Sequence, residues 1–275
     1  MKCYRLPKST GYIAALLWLL SVAVSNCIAA PILRLDANEA PPFFAKALPL
    51  DGMAGEIIHT IAKAAGLQAD IQFKPLNRMI QNDRNNDLGN PKFFMRNQNF
   101  SAIIPVGVYH VSVFHYLPNH RHRPNIRSLS DLKGYKVGLL KGTLVDRGVF
   151  QNSGISIEES YSQESLFKKL QKGRIDLVIA VDLIGKSIIS RLFPFDKDEF
   201  GSDLIAKSAS PIAILLAEEL PDGKRTGSKL MRALQKIRSN GEYEAILKKY
   251  YGETIPEDYY QQLDRFSYLY HEKAE

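Results

Sequence analysis

Asp182 lies just past the apolar stretch Ile175 to Ala180, where a carboxylate can pair with an ammonium group or cap the helix that follows from Leu183 to Arg191. Gly142 and Thr143 end the predicted strand Tyr135 to Leu140 and open a predicted helix. Free backbone N–H groups and the Thr143 hydroxyl at such a junction can hold a carboxylate, or simply make a turn and a helix cap. Phe43 and Phe44 follow the Pro41-Pro42 turn and supply either a flat apolar wall for a ligand or a core plug. Four of the six histidines cluster at His110, His115, His120 and His122. His110 and His115 are five apart, so on one strand they face opposite sides, and neither cysteine nor carboxylate joins them. This segment is read as a basic crossover, with no metal site and no cofactor expected.

The elements that must position these residues alternate. Short apolar strands at Ile32 to Leu35, Ile71 to Lys74, Phe100 to Val106, Val108 to Tyr116, Tyr135 to Leu140, Ile175 to Ala180 and Ile212 to Leu216 are separated by helical patterns. Gly55 to Ala65 carries Ile57, Ile58 and Ile61 at helical spacing and closes at Gly66. A polar helix is predicted over Asn77 to Asn85, and Ser162 caps a helix burying Leu166, Phe167 and Leu170. Helices follow at Lys229 to Arg238 and Glu242 to Tyr250, with an aromatic tail from Glu257 to Tyr270. The prolines and charges of Leu117 to Pro124 mark one crossover, and Ala206 to Pro211 the return. The expected fold class is α/β with two lobes, each a mostly parallel sheet flanked by helices: residues 30–118 and 208–275 for the first lobe, 119–207 for the second.

Residues 1–29 combine Lys2, Arg5 and Lys8 with the twelve-residue apolar run Ile13 to Val24 and small residues before Pro31, the pattern of a cleaved signal peptide. Both cysteines, Cys3 and Cys27, fall within it, so the remainder has no thiol chemistry or disulfide. Lipidation at Cys27 is the alternative, disfavoured by Asn26 before it. The 275 residues are 45% apolar and 24% charged, enough to bury a core in each lobe. The net charge of +7 includes three leader cations; the mild excess left fits an anionic or zwitterionic small molecule and argues against nucleic acid.

The stretch Ile126-Arg127-Ser128-Leu129-Ser130-Asp131-Leu132-Lys133-Gly134-Tyr135-Lys136-Val137-Gly138, with Gly142-Thr143 after it, resembles the bacterial extracellular solute-binding proteins of family 3. Leu170 to Asp176 with Asp182, and Ser239 to Tyr243 through Tyr250-Tyr251-Gly252, are similar to that family in order and spacing, over roughly residues 32–252. The resemblance implies a type II periplasmic binding protein. Such a protein closes its lobes on an amino-acid-like or organic-acid ligand and presents it to the membrane permease of an ABC importer. It implies ligand contacts at Gly142, Thr143 and Asp182, a carboxylate clamp at Arg96, and a further contact at Arg78. The pattern departs from the family at Phe93, where a threonine is usual, and at Ala37 and Ala40, where an aspartate and an aromatic are common, leaving Asn38 and Glu39 as polar contacts. A non-enzymatic, monomeric, periplasmic protein is expected. The alternatives are a sensory partner of a receptor or kinase and an enzyme resembling cyclohexadienyl dehydratases.

Overall fold

The computed structural model describes residues 30–81, 85–141, 154–219, 222–252 and 255–271. The expected signal peptide, Gly142, Thr143 and the helix expected after them lie outside these residues. Among the described residues, ten strands form two five-stranded sheets. The first contains Ile32–Ala37 (β1), Gln68–Phe73 (β2), Asp87–Gly89 (β3), Phe100–Tyr109 (β4) and Ser210–Ala217 (β10), in the order β2-β1-β3-β10-β4. The second contains Val111–Tyr116 (β5), Lys136–Leu140 (β6), Ser156–Ser160 (β7), Leu177–Val181 (β8) and Phe200–Leu204 (β9), in the order β7-β6-β8-β5-β9. Each sheet has two parallel and two antiparallel pairings, so both are mixed. The antiparallel members are the strands that carry the chain between sheets, which alternation of strand and helix in sequence does not reveal.

The chain leaves the first sheet at His110, the single residue between β4 and β5, and returns between β9 and β10. Leu117–Asn119, expected as the start of the crossover, is a 3-10 turn inside the second lobe. The first lobe therefore ends at His110 instead of residue 118. One extended residue needs no proline or glycine, so the true crossing carries no turn signal.

Local signals of the other elements are visible in the structure. Met53–Ala64 (α1) buries Ile57, Ile58 and Ile61 and ends at Gly66, whose φ of 72° is the left-handed value a helix end favours. Gln163–Gln171 (α4) begins where the Ser162 hydroxyl accepts the Ser165 N–H at 3.3 Å. The predicted polar helix is shorter, Leu76–Ile80 (α2), and is followed by β3 and the short helix Pro91–Phe94 (α3). Asp182–Leu192 (α5), Gly223–Ser239 (α6), Glu242–Tyr251 (α7) and Tyr259–His271 (α8) complete the order.

The core of the first lobe gathers Leu35, Ile57, Ile61, Val106, Ile214 and Leu234 on one face of its sheet. The second lobe packs Phe114, Phe167 and Val178 on one face and Val113, Val137 and Leu177 on the other, the period-two alternation of strands covered on both sides. Gly185 of α5 lies under the buried Phe114 ring: a Cβ there would clash with the ring's Cζ. Gly185→Ala is expected to lose about 1 to 3 kcal/mol by overpacking, although alanine is otherwise the better helix former. A urea midpoint measures this, and adding Phe114→Leu should return part of the loss.

Candidate functional site

Strand register decides which ends of the two sheets meet. β4 and β3 are both antiparallel to β10, so β4 ends where β1 and β3 end; Val111, which opens β5, pairs with Val181 at the end of β8. The crossing at His110 thus lies at the carboxyl ends of the parallel strands in both lobes, the place where open α/β sheets hold ligands.

On the first lobe this edge carries a polar and aromatic cluster. Asn90, 4% exposed, caps α3 by accepting the Lys92 N–H at 3.0 Å and donates its amide to the Tyr109 hydroxyl at 2.8 Å. Burial pushes the Tyr109 phenol above its ordinary value, partly offset by hydrogen bonds from Asn90 and Ser210. Phe43 packs edge-on to Tyr109, ring centres 6.4 Å apart, and is itself 4% exposed within the core. Tyr109 is therefore the less buried of the two rings. Asp36, near the end of β1, accepts from Lys74 Nζ at 2.7 Å and from Asn85 at 2.6 Å. Arg78 in α2 and Arg96 after α3 are exposed. Neither side chain forms a hydrogen bond or ion pair among the described residues, so both guanidinium groups can reach for an anion.

On the second lobe, Asp182 is the first residue of α5 and is 3% exposed. Its carboxylate accepts the Ser112 hydroxyl at 3.0 Å and pairs with Lys186 Nζ at 3.0 Å, one helical turn on. Its N–H donates to the His110 carbonyl at 2.9 Å, tying the start of α5 to the crossing. A negative charge at a helix N-terminus is favourable, and Lys186 completes the pairing without a ligand. Lys141, just past β6, donates to the Tyr161 hydroxyl at 2.7 Å.

The four clustered histidines do not converge on one point. His110 contacts Asp258 at 2.9 Å. His115 is fully buried, 4.0 Å from Asp203, and burial lowers its pKa. The His120 ring meets His115 edge-on, and His122 is exposed. Among the described residues no group of three histidine, cysteine or acidic side chains could hold a metal ion. Tyr109, Asn90, Ser210, Ser112 and Lys186 were not singled out in the sequence. Asn90-Pro91 carries a turn signal, whereas the other four gain their place only from strand pairing or helix contact.

No family model matches the chain, and no curated protein is significantly similar to it. Solved structures are. An ancestral arginine-binding protein bound to arginine is 20% identical, with a TM-score of 0.58, covering 80% of this chain and 98% of its own. A histidine kinase sensor domain with similarity to periplasmic binding proteins is 17% identical at a TM-score of 0.60, covering 80% and 96%. The substrate binding protein of an amino acid ABC transporter is 15% identical at a TM-score of 0.54, covering 81% and 100%. Among the described residues no helix is long and apolar enough to cross a membrane. At these identities the likeness establishes architecture: the chain has the two-lobed α/β fold of type II periplasmic binding proteins, with two mixed sheets flanked by helices.

Proposed function

We propose that this protein captures a small polar solute, amino-acid-like or an organic acid, between its two lobes and delivers it in the periplasm to the permease of an ABC importer. The observation that carries the reading is the meeting of both sheets' carboxyl ends at His110, with Asn90 and Tyr109 on one lobe and Asp182 on the other. The protein acts as a monomer, without a cofactor and without catalysis. Likeness to a kinase sensor domain favours, as a second reading, a ligand sensor that reports to a membrane receptor.

A thermal-shift screen of refolded, ligand-stripped protein against amino acids, organic acids, polyamines and short peptides tests the first step. Ligand at 100 times its Kd should add about 2.7 kcal/mol, a shift of a few degrees. With a ligand in hand, Arg96→Ala and Arg78→Ala should divide: the arginine that clamps a carboxylate loses about tenfold or more in affinity. A flat response across the panel would count against solute capture. Turnover of prephenate or arogenate would replace it with an enzymatic role.

A further inference from the structure

Helix α6 carries Lys224, Arg225, Lys229, Arg232, Lys236 and Arg238 and no acidic residue. Three of the chain's seven excess positive charges lie in the leader, so these six outweigh the remaining four and the rest of the body is net acidic. Helical spacing sorts them. Arg225, Lys229, Arg232 and Lys236 recur at i, i+4, i+7 and i+11, opposite the buried Leu230, Ala233, Leu234 and Ile237. All four are exposed, and none makes an ion pair among the described residues. Nearby cations are matched: Arg238 by Asp264 at 2.7 Å, Lys248 by Glu244 and Lys249 by Glu56, both at 2.8 Å. Like charges one turn apart repel, so the stripe works against the stability of its own helix.

We propose that this face of α6 is an electrostatic docking surface for an anionic phospholipid membrane. The row is about 16 Å long by helical rise, and no exposed large hydrophobic side chain lies on it. Protein interfaces are built around aromatic and aliphatic anchors and are depleted of lysine at their centres, and single-stranded nucleic acid calls for stacking aromatics. A lipid headgroup surface asks only for cations, each worth roughly a fivefold gain in partitioning. The apolar side of α6 is already committed to the core, so the contact is peripheral and reversible by salt. It does not depend on the solute reading.

The test is flotation of purified, leader-cleaved protein with vesicles of phosphatidylcholine alone or with about a third phosphatidylglycerol. Flotation is expected only with the anionic vesicles, lost in half-molar salt, and reduced about a hundredfold by Lys229→Gln, Arg232→Gln and Lys236→Gln together. Circular dichroism confirms that the triple variant is folded. The proposal is overturned if the wild type stays unbound or the triple variant floats as well as the wild type. Retention by polyaspartate or duplex DNA without vesicle binding assigns the stripe to a macromolecular partner and overturns it as well.

Discussion

Asp87→Asn is expected to abolish most of a steep decline in stability between about pH 4 and pH 8. Asp87 is fully buried in β3 and neither carboxyl oxygen has a hydrogen-bond partner among the described residues. Directly opposite on β1 is Asp36, whose carboxylate takes both Lys74 and Asn85. Burial first, then the neighbouring Asp36 charge, pushes the Asp87 pKa from 3.8 up to about 8, with Lys74 opposing. Through that window the folded protein keeps a proton that the unfolded chain has released. Its unfolding free energy therefore falls by about 1.4 kcal/mol per pH unit. The stabilisation is complete below about pH 4 and gone once pH passes about 8, a change on the order of 5 kcal/mol. His115, buried with its pKa lowered, acts in the other sense, losing stability as pH falls below 6.5; subtracting variant from wild type removes it. Urea unfolding at pH 5, 7 and 9 should show the variant gaining on the wild type as pH rises. Parallel pH profiles would sink the idea.

Asp87 also shows where reading the sequence stops. Gly66 after α1 and Ser162 before α4 were legible because a helix end is decided by residues a few positions away. The Asp36–Asp87 contact arises only when β1 and β3 pair, and a run such as Asn86-Asp87-Leu88-Gly89 looks like a polar turn. The two-lobed fold was legible from ordered motifs over most of the chain. The crossing at His110 was not, because it has no local mark. Of the candidate site, Asp182 opens α5 directly after β8, Arg78 and Arg96 are exposed in α2 and after α3, Phe43 is buried beside Tyr109, and Gly142 and Thr143 lie outside the described residues. Ser112 and Lys186 on Asp182 depend on contacts that no spacing rule joins to a ligand motif.

Two substitutions in the tail are expected to part stability from closure. Tyr259, the first residue of α8, is fully buried. Its hydroxyl accepts the Val108 N–H at 3.2 Å and lies 3.2 Å from the Tyr243 hydroxyl, which donates to the Val106 carbonyl at 2.9 Å. Tyr259→Ala leaves a ring-sized cavity and an unanswered N–H beneath α8, a loss of about 3 to 5 kcal/mol. Tyr259→Phe keeps the ring and should lose only about 1 to 3 kcal/mol. Asp258 is different: 42% of its side chain is exposed, and its structural contact is with His110 Nε2 at 2.9 Å. His110 is the residue between the sheets, and its carbonyl holds the Asp182 N–H. The tail thus grips the last residues of β4 and the crossing itself, where the lobe closure proposed above would be absorbed. Asp258→Ala should leave the urea midpoint nearly unchanged while shifting the balance of open and closed forms, read as a change in radius of gyration by X-ray scattering and in solute Kd. If both stay at wild-type values while Tyr259→Ala unfolds early, the tail is packing alone, and the hinge is governed by the strands that cross it.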